Sequence, residues 1–375
     1  MSRLEELIQK LCPDGVEFRK IKNVYKRIKG TSITAAKMKE ISDPTGEIKI
    51  FAGGKTAISA KETDIPQANI TRVPTVLVQS RGMIDAIYYD KPFTFKNEMW
   101  AYTAEDTISV KYLYYVLKNN IQHFREAASG MGSLPQISLP VTEDFIMPIP
   151  PLPVQSEIVR ILDNFAELTS KLTAELTARK KQYEYYRSIL LSFDGGKVEW
   201  KPFGECCILS RGDYITKKTA QKGKIPVILG GQEPAYYIDK SNHIGKAIVI
   251  SRSGASAGFV SYWNEPIFVT DGFVVEPKEE LNFKFLFFYL KNLQPDLNAM
   301  KKGGGVPHIT GENIVKLNIP VPPLPEQEHI VAILDRFDTL CNNISTGLPA
   351  EIEARKKQYE YYRDKLFAFK EVTDV

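Results

Sequence analysis

The sequence is poor in the residues that cross-link small folds or hold metals. Four cysteines occur in 375 residues, at 12, 206, 207 and 341, and none forms a CxxC pair. With only four histidines beside them, neither a disulfide framework nor a structural zinc site is expected. Long apolar runs are missing as well: no stretch of about eighteen such residues occurs, so no membrane span is expected. The opening residues, Met1-Ser2-Arg3-Leu4-Glu5-Glu6, lack the apolar core of a signal peptide, and a reducing cytoplasm is the expected setting. The excess of one sign of charge over the other is small too. A net charge of +4 does not by itself argue for nucleic acid, so such a partner must be sought in local patches. The whole sequence, 43% hydrophobic and 25% charged, has the composition of an ordinary folded protein with room for two or more domains.

What is present is a repeat. Pro150-Pro151-Leu152-Pro153-Val154-Gln155 returns as Pro322-Pro323-Leu324-Pro325-Glu326-Gln327. Behind it, Ile158, Ile161, Leu162, Asp163 and Phe165 match Ile330, Ile333, Leu334, Asp335 and Phe337 in register. Each copy then reaches the identical run Ala-Arg-Lys-Lys-Gln-Tyr-Glu-Tyr-Tyr-Arg, at 178–187 and 354–363. An internal repeat of this kind sets the architecture before any single element does.

Apolar residues at steps of three, four or seven mark a long two-sided helix after each proline cluster. The first predicts a rod of roughly 58 Å for about 39 residues, with Pro153 in its first turn. Its expected helix-pair core includes Ile158, Ile161, Phe165, Leu172, Tyr183 and Tyr186. The second carries Ile330, Ile333, Phe337, Ile344, Tyr359 and Tyr362, but Gly347 and Pro349 predict a break, with the helix restarting near Pro349.

The segments between are globular. Short apolar runs at 48–51, 75–78, 86–89 and 93–95 predict strands, 110–121 a helix, and the surroundings of Ile146 a last strand. Anchors recur in the second half. Lys29-Gly30-Thr31-Ser32 corresponds to Arg211-Gly212-Asp213-Tyr214, Ser80-Arg81 to Ser251-Arg252, and Leu134-Pro135-Gln136-Ile137 to Val306-Pro307-His308-Ile309. The expected class is α+β. Residues 1–150 form a first domain, 151–195 a first long helix, 196–322 a second domain and 323–375 a second long helix. The N-terminal helix, stopped by Pro13-Asp14-Gly15, aligns with the end of the first long helix, so the chain reads as a circle whose ends meet. Two antiparallel coiled-coil helices with a globule at each end, related by a pseudo-twofold axis, close that circle most simply.

Two similar heads on a fixed spacer suit a target with two separated marks, and duplex DNA repeats its grooves about every 34 Å. Basic runs support this: Arg19, Lys20, Lys22, Lys26, Arg27 and Lys29 in the first domain, and Arg211, Lys217, Lys218, Lys222, Lys224, Lys301 and Lys302 in the second. Lysine runs also serve simply as solvated faces.

The Pro-Pro-Leu-Pro-x-Gln-x-x-Ile-Val-x-Ile-Leu-Asp repeats resemble those of specificity subunits of type I restriction-modification enzymes. So do Ser251-Arg252-Ser253-Gly254-Ala255-Ser256-Ala257-Gly258 and Gly305-Val306-Pro307-His308-Ile309. The first domain keeps half of that pattern in Ser80-Arg81-Gly82-Met83. The resemblance covers essentially the whole chain. It implies a non-catalytic reader whose two target-recognition domains each bind one half of a bipartite duplex DNA sequence, with the helices fixing the gap. It further implies two modification subunits carrying S-adenosylmethionine chemistry, and restriction-translocase subunits using ATP and Mg. Since the loops of the two domains differ, the expected half-sites are unlike and the target asymmetric.

Candidate DNA contacts are Lys26, Arg27, Lys55, Arg81 and Gln136 in the first domain. In the second they are Arg211, Gln232, Arg252, Ser253, Lys301, Lys302 and His308. Arg81 and Arg252 can bind guanine bidentately or pair with a carboxylate that holds their loop, and His308 can be structural. The sequence argues against chemistry in this chain. No Asn/Asp-Pro-Pro-Tyr/Phe methylation loop is present, and Gly54-Lys55-Thr56 lacks the upstream glycine of a phosphate loop. The Glu-x-Lys trios at Glu47 and Glu276 lack nuclease partners, and Ser253 is not on a Gly-x-Ser-x-Gly elbow. A scaffold binding protein or small ligands around a coiled-coil rod is the alternative.

Overall fold

The structure, a computed structural model, describes all residues except 1, 55, 67, 129–133, 194–197, 230–232, 304, 344 and 373–375. The chain divides into two compact units, Met1–Lys171 with Ile352–Val375, and Leu172–Glu351. The divisions fall inside the long helical repeats rather than at the proline clusters.

The first unit opens on a helix, Arg3–Leu11, started by a capping box in which the Ser2 and Glu5 side chains each bond the other's backbone N–H. Nine strands follow among the described residues: β1 (Glu17–Lys20), β2 (Lys26–Ile28), β3 (Ile48–Phe51), β4 (Ala57–Ala60), β5 (Thr75–Gln79), β6 (Asp85–Tyr89), β7 (Phe93–Phe95), β8 (Trp100–Thr103) and β9 (Ile146–Ile149). They make a four-stranded sheet in the order β2-β8-β5-β6, a three-stranded sheet β4-β3-β7 in which β3 and β7 run parallel, and the antiparallel pair β1-β9. The helix Thr107–Asn119, capped by Asp106, buries Val110, Leu113, Val116 and Leu117 in the core shared with Val76 and Val78 of β5.

The second unit repeats this plan strand for strand. Its strands are β10 (Glu199–Pro202), β11 (Cys207–Arg211), β12 (Lys222–Ile228), β13 (Tyr236–Ile238), β14 (Lys246–Ser251), β15 (Val260–Asn264), β16 (Phe268–Val269), β17 (Gly272–Pro277) and β18 (Asn318–Val321). They pair as β11-β17-β14-β15, as β13-β12-β16 with β12 parallel to β16, and as β10-β18. The helix Phe283–Asn292, capped by Asn282, takes the place of Thr107–Asn119.

The helical repeats form as the spacing predicts. The first is one continuous helix, Leu152–Leu190. The second breaks into Leu324–Asn342 and Leu348–Leu366, because Pro349 has no N–H to extend the ladder of the preceding turn. In the first unit Phe165 packs on Tyr359 and Tyr362, with ring centroids 6.2 and 5.8 Å apart. In the second, Tyr183 and Tyr186 pack on Phe337 at 6.1 and 5.7 Å. An early residue of one repeat thus meets late residues of the other, which is antiparallel pairing order.

The recurring aspartate and glutamine have structural tasks. Asp163 accepts from Lys111 Nζ and from the Tyr115 hydroxyl, both at 2.6 Å, while Asp335 takes Lys284 Nζ on both oxygens at 2.7 and 2.6 Å. Each bond ties the helix of a globular domain to its long helix. Asp163→Ala is expected to lower the unfolding free energy by about 1–2 kcal/mol, since it also strands the Tyr115 hydroxyl. Asp335→Ala should cost less than about 1 kcal/mol, because Lys284 can return to water. Equal losses in urea unfolding would refute this difference. Gln155 Nε2 donates to the Pro150 carbonyl at 2.8 Å, and its Oε1 has no partner among the described residues. Gln327 is fully used: Nε2 donates to Pro322 O (2.7 Å) and Glu280 O (2.9 Å), and Oε1 accepts from the Asn282 N–H at 2.7 Å.

The expected meeting of the chain ends occurs within the first unit. The Val16 N–H donates to Lys370 O at 2.8 Å, and Val372 N–H donates to Val16 O at 3.1 Å. Gly15, at φ +117°, permits this approach, since a Cβ there would lie 2.5 Å from Lys370 O. Leu4, Cys12 and Val16 share one core with Leu366, Phe367 and Phe369.

Candidate nucleic-acid interface

In each unit a glycine turn lies against the end of a parallel strand and floors an open cleft. The first turn is Lys29-Gly30-Thr31-Ser32. A Cβ on Gly30 would sit 2.2 Å from Phe95 O, so only glycine fits. Thr31 N–H donates to Phe95 O at 2.7 Å, and the Asn69 side-chain amide donates to Gly30 O at 2.8 Å. The cleft, about 490 Å³, is lined by Arg27, Lys29, Ser32, Asn97 and Trp100 among others.

The second turn is Arg211-Gly212-Asp213-Tyr214, where a Cβ on Gly212 would sit 2.3 Å from Val269 O. Asn242 exchanges two hydrogen bonds with Val269, at 2.8 and 2.7 Å. This cleft, about 670 Å³, is lined by Arg211, Asp213, Tyr214, Leu229, Arg252 and Asp271 among others. The floors are alike and the linings differ. Ser32 is replaced by Tyr214, which is 89% exposed, and Asn97 by Asp271. Sequence reading missed Asn69, Asn97, Asn242 and Asp271, all of which lie on loops whose lengths diverge between the halves.

Beside each cleft an arginine loop is braced by the proline loop. In the first unit Arg81 and Gln136 form an isolated antiparallel bridge, and the Gly82 N–H donates to Pro135 O at 2.8 Å. Arg81 is exposed and makes no ion pair among the described residues. Glu98 accepts from the Gly53 N–H at 2.9 Å and from Lys96 at 3.1 Å. Burial pushes the Glu98 carboxyl up, but these bonds and the nearby Arg81 charge outweigh it and hold it below the usual carboxylate range.

In the second unit Ser253 bridges His308, which in turn exchanges backbone bonds with Lys302 at 2.9 Å each. Arg252 Nη1 donates to Asp271 Oδ1 at 3.2 Å, and the Ser253 hydroxyl donates to Asp271 Oδ2. Lys301 Nζ caps the Ala255 carbonyl at 2.9 Å. Lys55 and Gln232 lie outside the described residues.

The two basic runs differ in how far they are neutralised. In the first domain Arg19 pairs with Glu17 at 2.5 Å, Lys20 and Lys22 with Asp144 at 3.0 and 2.7 Å, and Arg27 with Glu143 at 3.2 Å. The Lys22 and Lys20 ammoniums hold the Asp144 carboxyl below its usual range. Lys26 and Lys29 stay exposed and without an ion pair among the described residues. In the second domain Arg211, Lys217, Lys218, Lys222 and Lys224 are all exposed, and none forms an ion pair among the described residues. Lys217 and Lys222 line a further depression of about 720 Å³ with Tyr236 and Tyr237. Free cations beside the exposed Tyr237 offer both phosphate neutralisation and stacking.

Of the helical candidates, Ile158, Tyr183 and Ile330 are buried; Ile161, Phe165, Leu172, Ile333, Phe337 and Tyr359 are half-buried. Tyr186 and Tyr362 keep 39% and 42% exposure while one ring face stacks on Phe337 or Phe165. Ile344 lies outside the described residues. Leu162 and Leu334, which also belong to the repeat, are fully buried. Among the described residues no cluster of His, Cys, Asp and Glu could hold a metal ion, and no helix is long and apolar enough to cross a membrane.

Comparison with known proteins gives consistent matches. The profile of the family described as type I restriction modification DNA specificity domain matches twice, over residues 13–179 and 197–354. The chain is 37% identical over 289 residues to the EcoR124I/EcoR124II type I restriction enzyme specificity subunit of Escherichia coli, covering 69% of this chain and 71% of that one. Its fold is similar to the crystal structure of a type I restriction-modification S subunit from M. genitalium, with TM-score 0.68 and 20% identity over 96% of this chain and 97% of that one. A chain from a structure concerned with complex assembly and conformational transition of a type I restriction-modification system aligns at TM-score 0.56 and 17% identity, covering 95% of this chain and 98% of that one.

Proposed function

Because this chain belongs to the type I restriction-modification DNA specificity family, we propose that it reads an asymmetric bipartite duplex sequence, one half in each cleft. The observation that carries this reading is a pair of clefts on one topology whose linings differ at matched positions: Ser32 against Tyr214 and Asn97 against Asp271. Identical frames with different donors and acceptors recognise different bases. The reading assigns methylation with S-adenosylmethionine to two modification subunits docked on the chain, and ATP- and Mg-dependent restriction to translocase subunits. The lack of an adenine-methylation loop in the sequence supports that division of labour.

Co-expression with the modification subunit, followed by methylome sequencing, should reveal one motif with two unlike halves and a fixed gap. In duplex binding, log affinity should fall linearly with log salt, with a slope of about −5 to −8 if six to nine phosphates are contacted. A symmetric motif would overturn the two-reader assignment. Affinity that ignores salt would point instead to a scaffold for protein or small ligands.

A further inference from the structure

We infer that Asp271 is a positioning residue that presents Arg252 to a guanine in the half-site taken by the second domain. The inference rests on the reading of the clefts as DNA readers, and supplies the base class for one of them.

Three bonds converge on Asp271: Arg252 Nη1 at 3.2 Å, the Ser253 hydroxyl, and the Arg252 N–H on the Asp271 carbonyl at 3.0 Å. The Ile309 N–H donates to Arg252 O at 2.9 Å, so the arginine's own backbone is fixed on both sides. Its side chain remains a third exposed, and both Arg252 and Asp271 line the cleft beside Arg211 and Tyr214. A guanidinium has five N–H donors, and the bond from Nη1 to the carboxylate leaves the others available.

Guanine offers the complementary pair of acceptors, N7 and O6, at one base edge. Each oxygen of the carboxylate already accepts one bond from the arginine loop, which ties Asp271 to holding that loop. Held in this way, Arg252 loses less freedom on binding than a loose arginine would. The first domain lacks the device. Asn97 stands at the matching position, two residues beyond β7 as Asp271 is two beyond β16, and Arg81 is exposed without an ion pair among the described residues.

The test uses the chain assembled with its modification subunit and duplexes carrying the motif found by methylome sequencing, plus every single-base change within each half. For Asp271→Asn, preference at one guanine position should fall roughly tenfold, with the other half unaffected and the thermal midpoint unchanged. Arg252→Lys, which keeps the charge but not the fork, should relax the same position. A uniform loss across all positions with a lower thermal midpoint would make Asp271 merely a loop anchor and overturn the inference. So would an unaltered motif in either variant, or changes at different positions in the two. Failure of the wild-type assembly to discriminate any sequence would instead remove the underlying reading of the clefts.

Discussion

Replacing Lys217, Lys218, Lys222 and Lys224 together with glutamine should weaken duplex binding by about a hundred- to a thousandfold at roughly 0.1 M salt. The plot of log affinity against log salt should become shallower by about three to four, one counterion being lost per phosphate no longer neutralised. All four lysines are exposed and have no ion pair among the described residues, so their full charge is available to a polyanion. The same exchange at Arg19, Lys20 and Lys22 should have a far smaller effect, because Glu17 and Asp144 already occupy those cations. Titrations at several salt concentrations decide the matter. Equal losses from the two sets would mean that net charge, not the placement of free lysines, governs binding.

The second large effect is on stability and comes from the repeated motif itself. Gln327→Leu preserves side-chain volume but leaves Pro322 O, Glu280 O and the Asn282 N–H without their partner; Gln327 itself is fully buried, its bond to Pro322 O is buried and the other two are part-buried. At about 1–3 kcal/mol for each stranded buried group, with some relaxation, the expected cost is about 3–5 kcal/mol. Gln155→Leu is the informative control. It strands only Pro150 O while removing an Oε1 that already lacks a partner, so a change within about 1 kcal/mol is expected. Denaturant unfolding of both variants, with hydrogen exchange across residues 172–351 to locate the loss, measures the contrast. Two equally destabilised variants would show that the glutamines do the same work in both copies, contrary to the bonding.

Much of the fold is legible in the sequence because it is written twice. Pro150 to Phe165 and Pro322 to Phe337 announce two helices, Pro349 breaks one of them, and the alignment of the N-terminal helix, stopped by Pro13-Asp14-Gly15, with the end of the first long helix foretells the join between the chain ends. The arginine and proline loops are legible as matched anchors, and the structure brings each pair together as Arg81 with Gln136 and Ser253 with His308. What the sequence hides is pairing across long separations. The acids that quiet the first basic run, Glu143 and Asp144, lie more than a hundred residues from Lys20 and Arg27, so the run reads as bare charge. Asp271 lies 19 residues beyond Arg252, in a loop with no shared spacing in the first half, and becomes visible as its partner only once β16 and β17 are placed.

The strand-like contact between Val16 and the segment Lys370 to Val372 also sets an order of manufacture. All residues of the second unit are consecutive, whereas the first unit needs residues 352 onward to cover what residues 1–171 leave open. Synthesis therefore adds every residue of the second unit before the closing residues of the first. The nascent first domain must wait, with the apolar side of its opening helix and the backbone of Val16 uncovered, until Leu366 to Val372 have emerged.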